Sequence, residues 1–123
     1  MNRPDKEMSK YPAVAIIVLF CPGDSQIRYF YSILSKHIKL YLLDNTPAKK
    51  RRLLRTTGRI KVICNHKNRG IAYALNQGIT EAVKDGHRLY FLFDQDTVVD
   101  ESYLEAMICK YKSDTNTANT GYI

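Results

Sequence analysis

The sequence predicts an α/β layer fold with a mostly parallel sheet, and two observations carry this prediction. Four apolar runs, rich in β-branched and aromatic residues, alternate with four patterns of helical period. Polar side chains follow the end of each run, and in a parallel sheet these ends share the edge where α/β folds bind their ligands. The 123 residues are enough for one domain with one hydrophobic core.

The predicted strands are short and strongly apolar. The first and the last are continuous apolar runs, which is typical of strands that are buried on both faces of a sheet. Polar or turn-forming residues stop all four runs. The predicted strands span residues 13–20, 38–43, 60–64 and 89–93.

A helix is predicted after each strand. Asp24 is placed to cap the first helix. Thr46-Pro47 is a start signal for the second, over residues 48–55 and ending near Gly58. The third helix is expected over residues 70–84 with Gly86 as its C-cap, and the fourth begins near Asp100. The expected buried faces are Ile27, Phe30, Tyr31 and Leu34 in the first helix; Ile71, Leu75, Ile79, Ala82 and Val83 in the third; and Leu104, Met107, Ile108 and Tyr111 in the fourth.

The chain is strongly basic. It carries 19 Lys and Arg against 12 Asp and Glu, a formal net charge of +7, which favours polyanions such as nucleotide diphosphates, anionic lipid surfaces or nucleic acid. Between Asn45 and Thr80 there are nine basic residues and no acidic one. Most of them are expected on a solvated face that could rest on an anionic membrane, whereas Lys67 and Arg69 lie nearer the expected pocket.

Cysteine usage and hydropathy indicate a cytoplasmic protein. The three cysteines are odd in number, widely spaced and in no metal-binding pattern, which is typical of reduced, half-buried thiols. The longest apolar run, residues 13–21, is too short to cross a bilayer, and the N-terminus lacks the apolar region of a secretory signal. We therefore expect a cytoplasmic location, with a peripheral contact at the inner face of the membrane left open.

Two carboxylates follow the last strand, with one residue between them. On an extended backbone alternate side chains point the same way, so Asp94 and Asp96 could aim at one spot and bind a Mg²⁺-type ion. The alternative is that both are solvated loop acids that help to start the next helix. An EF-hand is excluded, because Val98 stands where a ligand is expected and Val99 where the loop needs glycine.

Two further segments could face the same pocket. Asp44 ends the second strand and could accept hydrogen bonds from a base or a ribose, or it could simply turn the chain. Asn68-Arg69-Gly70 opens the third helix, where backbone N–H groups could face an anion, and Asn76 lies further along that helix. The small residues of this helix could equally serve packing against the sheet.

Taken together, these segments resemble the N-terminal half of a family 2 inverting glycosyltransferase with the GT-A fold, a Rossmann-like, mostly parallel sheet with flanking helices. The subgroup that looks closest is that of the bacterial rhamnosyltransferases, because of the Asp-Gln-Asp form of the last motif. The segments that carry the resemblance are residues 15–20, 42–45, 68–79 and 92–96.

The resemblance implies a glycosyltransferase that moves a sugar, rhamnose from a dTDP-sugar, onto a cell-surface polysaccharide or a lipid-linked acceptor. It also implies a role for each matching residue: Asp44 contacts the nucleotide base; Asn68, Gly70 and Asn76 shape the nucleotide-sugar pocket; Asp94 lies near the ribose and the metal; and Asp96 ligates Mg²⁺ or Mn²⁺.

The chain also departs from the family pattern. Phe20-Cys21-Pro22 stands where the family often has Tyr-Asn-Pro. We expect a flexible leader over 1–12, a nucleotide-sugar-binding domain over 13–112 and a polar tail over 113–123 where the fold is cut off. The acceptor half and the general base are not visible, which leaves open a non-catalytic nucleotide-sugar-binding module whose exposed edge would favour self-association. The basic residues cluster rather than interleave with aromatics, so no nucleic-acid partner is expected.

Overall fold

A computed structural model describes residues 13–113, and within them four strands form one parallel sheet. Their order in the sheet is β3-β2-β1-β4, and every neighbouring pair runs parallel. The predicted α/β class with a Rossmann-like sheet is therefore confirmed. The predicted leader and all but the first residue of the predicted tail lie outside the described residues. The strands are β1 (Ala13–Leu19), β2 (Lys39–Asp44), β3 (Ile60–Cys64) and β4 (Leu89–Phe93).

Helices cover both faces of this sheet. The elements α1 and α3 pack on one face and α2 packs on the other. Two single turns of 3₁₀-helix, Leu34–Lys36 and Ala48–Lys50, flank β2. The helices are α1 (Asp24–Ser32), α2 (Ile71–Lys84) and α3 (Glu101–Ser113).

The larger core lies between the sheet and the pair α1 and α3. Strand alternation sends every second side chain of β1 to this face, where the rings and aliphatic chains of α1 and α3 cover them. The predicted buried face of α3 is confirmed, with Leu104 buried and three neighbours half-buried around it. The members include Ala15, Ile17, Leu19, Phe30, Leu34, Leu40, Leu42, Ile60, Leu89, Phe91 and Leu104.

The second core depends on a close approach of α2 to the sheet. A Cβ atom at Gly78 would lie 2.6 Å from Ile16 Cγ2 and 2.8 Å from Leu43 Cδ2, closer than van der Waals contact permits. Ala74 and Ala82, one turn away on either side, are fully buried on the same stripe. Of the three small residues expected to pack on the sheet, Ala74 and Gly78 are confirmed, whereas Ala72 is exposed and does not take part. The small side chains of the buried stripe set the distance between helix and sheet.

The end of α2 is a glycine stop, close to where the sequence places it. Asp85 is the C-cap, and Gly86 follows it with φ of 92°. The Gly86 N–H donates to Val83 O and the His87 N–H donates to Ala82 O, the paired bonds of a Schellman motif. Glycine adopts this left-handed conformation without the steric cost that a Cβ atom brings.

The predicted helix over residues 48–55 is wrong. Only the turn Ala48–Lys50 forms, Arg51 is extended with ψ of 136°, and the chain stays irregular up to the start of β3. Two causes act together: the Thr46 hydroxyl accepts from the Cys21 N–H instead of capping a helix, and five basic residues within one short segment repel one another.

Several smaller expectations are corrected. Gly23, not Asp24, is the N-cap of α1, and Asp24 lies in the first turn. The apolar face of α2 is rotated, so that Ile71 and Val83 are exposed. The strand β4 is not buried on both faces: it is one of the two edge strands of the described sheet, and Leu92 is 52% exposed. Cys21 and Cys109 are exposed rather than half-buried.

Candidate functional site

A pocket opens at the carboxyl edge of the sheet, where the strand order reverses. The strands β2 and β3 lie on one side of β1 and β4 lies on the other, so the reversal falls between β1 and β4. This is the place where open α/β sheets bind their ligands. The pocket has a volume of about 350 Å³, and its lining combines an apolar floor with polar ends: Val18, Phe20, Asn45, Asn68, Ile71, Leu75, Leu92, Phe93, Asp94 and Gln95.

The Asp-Gln-Asp segment is a turn and not the end of a strand. β4 stops at Phe93, and the Thr97 N–H donates to Asp94 O at 3.0 Å, which closes a turn over the segment. The alternation of a strand therefore does not align the two carboxylates. Asp94 is exposed and lines the pocket, whereas Asp96 is exposed beside it and accepts a hydrogen bond from Gln26 Nε2.

The chemistry of this turn fits a hard divalent cation. Among the described residues no lysine, arginine or histidine is ion-paired with Asp94 or Asp96, so no protein cation occupies the place of a metal ion beside them. No group of three or more His, Cys, Asp or Glu side chains clusters in the same part of the chain. Mg²⁺ typically needs only one or two protein carboxylates, with water and phosphates as its other ligands.

Asp44 lies beneath the pocket, not on its wall. It is 1% exposed, its Oδ1 accepts from the Thr46 N–H at 3.0 Å, and its backbone carbonyl accepts from the Asn65 N–H at 2.9 Å. The neighbouring residue, Asn45, lines the pocket although it is only 2% exposed. The carboxylate of Asp44 thus holds the turn that presents Asn45.

A chain of side-chain amides runs from the pocket towards α2. Asn65 Nδ2 donates to Asn45 Oδ1 at 2.8 Å, and Asn65 and Gln77 exchange two hydrogen bonds of 2.8 and 2.9 Å. Asn45 Nδ2 in turn donates to the Gly70 carbonyl at 3.2 Å. Three of these residues, Asn45, Asn65 and Gln77, were not predicted; the available signal was that an asparagine directly follows both β2 and β3.

The predicted loop residues Asn68 and Gly70 are joined to this network. The Gly70 N–H donates to Asn68 Oδ1 at 2.9 Å, and Gly70 is the N-cap of α2 with φ of 88°, a conformation that favours glycine. Asn68 also lines the pocket. The structure therefore brings Asn68, Gly70 and Asp94 to one region, with Asp96 beside it.

Asn76 lies elsewhere. It lines a wider groove of about 650 Å³ between α2 and the edge strand β3, together with Tyr73, Thr80 and Lys84. Arg69 is also turned towards this side, since its guanidinium lies 4.3 Å from the centre of the Tyr73 ring. Lys67 is exposed.

A polar cluster with shifted pKa values ties the far end of α2 to the sheet, away from the pocket. Burial raises the pKa of Tyr41, whose hydroxyl donates to Asp85 Oδ2 at 2.6 Å. The hydrogen bond from Lys61 Nζ, at 2.7 Å, lowers the pKa of Glu81, and the same bond raises the pKa of Lys61. Burial alone would raise the pKa of Asp85, but the hydrogen bonds from Tyr41 and Lys61 outweigh it and lower that pKa.

Comparison with protein families identifies the family to which this sequence is similar. The family model of Glycosyl transferase family 2 matches residues 42–122, most of the chain, from β2 through the pocket loops and the Asp94–Asp96 turn onwards. Neither curated proteins nor solved structures gave a match. Within residues 13–113, no helix has the length and apolar character needed to span a membrane.

Proposed function

The chain belongs to glycosyl transferase family 2, and from this premise we propose that it binds a nucleotide-sugar donor in the pocket between β1 and β4, for transfer of the sugar to an acceptor. The observation that carries the proposal is the position of this pocket. It lies at the reversal of strand order, with a carboxylate on one side and the glycine-opened start of α2 on the other.

In this proposal each side of the pocket has its own task. Asn68 and Gly70 shape the wall at the start of α2, and Asp44 serves the nucleotide base indirectly by fixing the turn that presents Asn45. Asp94 and Asp96 hold Mg²⁺ or Mn²⁺. When bound, such an ion neutralises the diphosphate and stabilises the departing nucleoside diphosphate as a Lewis acid. We propose no contact between Asn76 and the nucleotide, because Asn76 lines the groove between α2 and β3.

The donor we propose is a dTDP-sugar of the rhamnose type, for a cell-surface polysaccharide or a lipid-linked acceptor. Support comes from the Asp-Gln-Asp form of the turn, which resembles that of rhamnosyltransferases. The apolar floor between the two polar ends suits a sugar that lacks a hydroxyl at its sixth carbon.

A second candidate is a module that binds the donor but does not catalyse sugar transfer by itself. The contacts of three carboxylates that follow the turn favour this candidate. An inverting transfer needs a base within hydrogen-bond reach of the acceptor. Asp100 Oδ1 accepts from the Ser102 and Tyr103 N–H groups, while Glu101 and Glu105 face His37 at 3.5 and 2.7 Å. Among the described residues that follow the turn, all three carboxylates are thus engaged away from the pocket.

Thermal unfolding with ligands tests the proposal. We would measure Tm with dTDP, UDP and GDP, each with and without Mn²⁺, because a ligand that binds only the folded state adds about 2.7 kcal/mol at a concentration 100 times its Kd. The expected result is a metal-dependent rise that is largest with dTDP and is lost in Asp96→Ala. A cooperative transition without any shift would reject donor binding.

Sugar transfer separates the two candidates. If the purified 123-residue chain transferred rhamnose from dTDP-rhamnose to a saccharide acceptor, the hypothesis of a non-catalytic donor-binding module would be rejected. Metal-dependent dTDP binding with no transfer and no donor hydrolysis would favour it.

Contact with an anionic membrane at the cytoplasmic face is a further part of the proposal. Leu53 is 83% exposed, and three basic residues near it in the sequence are also exposed: Lys49 and Lys50 in the 3₁₀ turn, and Arg55 in the irregular stretch that follows. Replacing these three basic residues with glutamine should reduce sedimentation with phosphatidylserine vesicles at low salt. The matched control replaces three exposed basic residues elsewhere, Lys36, Arg88 and Lys110; an equal reduction would mean that net charge alone acts.

A further inference from the structure

The middle residue of the Asp-Gln-Asp turn joins that turn to the end of β1. The Phe20 N–H donates to Gln95 Oε1 at 2.7 Å, and Gln95 Nε2 donates back to the Phe20 carbonyl at 3.3 Å. The pairing of β1 with β4 has already ended at Ile17 and Phe93. The side-chain amide therefore continues, for one residue, the hydrogen bonding that the two strands no longer supply.

A second glutamine extends this attachment to the start of α1. Gln26 Oε1 accepts from both the Gly23 N–H, at 2.9 Å, and Gln95 Nε2, at 3.1 Å. Its Nε2 then donates to Asp96 Oδ1. Gln95 and Gln26 thus form a two-residue relay that begins at the backbone of Phe20 and ends on the carboxylate of Asp96.

The backbone dictates the orientation of both amides. The Phe20 N–H can only donate and the Phe20 carbonyl can only accept, which places Oε1 and Nε2 of Gln95. The Gly23 N–H can only donate, so the amide oxygen Oε1 of Gln26 must face Gly23, and the amide nitrogen Nε2 then faces Asp96. Asp96 consequently receives a donor on Oδ1, which leaves its other oxygen for a ligand.

An amide suits this position better than a cation would. A lysine or arginine paired with Asp96 would compensate its charge and compete with a divalent ion, whereas an amide holds the carboxylate and leaves the charge in place. Hydrogen-bond partners of this kind orient metal ligands, and their loss typically lowers metal affinity by about 10- to 100-fold.

From this geometry we infer that Gln95 and Gln26 are positioning residues that hold the carboxylate of Asp96 for a divalent cation carried by a nucleoside diphosphate. The inference rests on the proposed donor site. Gln95 also lines the pocket, whereas Gln26 does not, so the effect of Gln26 on the cation passes through Asp96.

The test compares Mn²⁺ binding, followed by the electron paramagnetic resonance signal of free Mn²⁺, with dTDP present in excess. Gln95→Leu and Gln26→Leu keep the side-chain size and remove the amide. We expect both to weaken Mn²⁺ binding by about 10- to 100-fold. For Gln26→Leu the affinity for dTDP without metal should change less than about 3-fold, since Gln26 is not among the residues that line the pocket. Gln95 does line the pocket, so Gln95→Leu is compared for Mn²⁺ binding only. Ser25→Ala, at the exposed neighbour of Gln26 on α1, is the control and should match the wild type.

The outcomes separate the two claims. If the wild type binds Mn²⁺ with dTDP and both leucine variants bind it equally well, the positioning role is rejected and the donor site stands. If the wild type does not bind Mn²⁺ in the presence of dTDP, the proposed donor site is rejected, and the positioning role of the two glutamines is rejected with it. Should Gln95→Leu fail to fold, Gln26→Leu decides alone, because it leaves the pairing with Phe20 intact. If Gln26→Leu weakened metal-free dTDP binding as much as Mn²⁺ binding, the disturbance would be general and the inference would be rejected.

Discussion

The chain leaves two neighbouring strands in two different ways. After β3 it enters α2, a helix of 14 residues, whereas after β2 it makes only the three-residue turn Ala48–Lys50 and then runs irregularly to residue 59. Both segments begin at the carboxyl edge of the sheet and both carry residues that favour helices. α2 has a stripe of Ala74, Gly78 and Ala82 that packs on the sheet. The segment after β2 has no such stripe.

The difference shows what makes a helix form in this protein. An isolated helix of this length is marginal in water, and most helical stability comes from packing of an apolar face. The segment after β2 is held instead by single hydrogen bonds: the Tyr31 hydroxyl donates to the Arg55 carbonyl at 2.7 Å, and the Val62 N–H donates to Thr56 Oγ1 at 3.1 Å. It covers the edge of β3 without burying a face of its own.

The largest effect is expected where α2 meets the sheet. Gly78→Val should destabilise the fold by about 3 kcal/mol, because the new side chain would overlap Ile16 and Leu43. Urea unfolding measures this, with Thr80→Ala on the exposed side of the same helix as the control. A loss below about 1 kcal/mol would mean that α2 can move away from the sheet without cost.

The segment after β2 should respond to the loss of one hydroxyl. Thr57 Oγ1 accepts from the Arg59 and Ile60 N–H groups, both at 3.1 Å, so Thr57→Val should cost about 1–2 kcal/mol. Thr57→Ser retains the hydroxyl and is expected to stay near the wild type in the same urea measurement. Equal losses in both variants would mean that the two hydrogen bonds of the hydroxyl do not account for the effect.

The attachment of α2 through Lys61 should depend on pH. The folded pKa values of Glu81 and Asp85 are lowered, so their contribution is present above about pH 4, the unfolded range, and is lost as the pH falls through the folded values. The pKa of Lys61 is raised from its ordinary value of 10.5, so the stabilisation by its ammonium group is fully present below that pH and is lost as the pH rises through the folded value. Lys61→Met should therefore lower Tm most between about pH 5 and 10, and least near pH 3. A difference in Tm that does not vary with pH would show that Lys61 acts by packing alone.

The smallest effect is expected at the most exposed leucine of the irregular segment. Leu53→Ser should change the free energy of unfolding by less than about 0.5 kcal/mol, since this side chain is 83% exposed. The adjacent Leu54 is half-buried against the larger core, and Leu54→Ser should cost clearly more in the same experiment. If the two variants lost equal stability, the packing of Leu54 against the larger core would contribute nothing.

Much of the fold could be predicted from local patterns. The continuous apolar runs of β1 and β2, and the small residues of α2, specify burial by themselves, since strands that lie inside a parallel sheet need apolar side chains on both faces. β4 has the same kind of run but is an edge strand, and Leu92 is exposed there. Position in the sheet, which no local run reveals, decided that difference.

The candidate site was predictable in location but not in detail. Asp94, Asn68 and Gly70 come together because the ends of parallel strands share one edge. Asp44, which also ends a strand, is buried, and Asn45 takes its place on the wall of the pocket. A shift of one residue at the end of a strand exchanges the side chain that faces the pocket for one that faces the interior.

By itself, the sequence determined the α/β class, the four strands, the packing stripe of α2 and the carboxyl edge as the place of the pocket. Only the tertiary structure decided that the segment after β2 is irregular, that Asp94 and Asp96 lie on a turn, and that amide side chains hold both sides of the pocket. The physical reason is the separation of the partners. Gln95 meets Phe20 across 75 positions of the chain, and Asn65 meets Asn45 across 20. Local periodicity records which face of an element is apolar, but it holds no information on which distant backbone group a polar side chain will find.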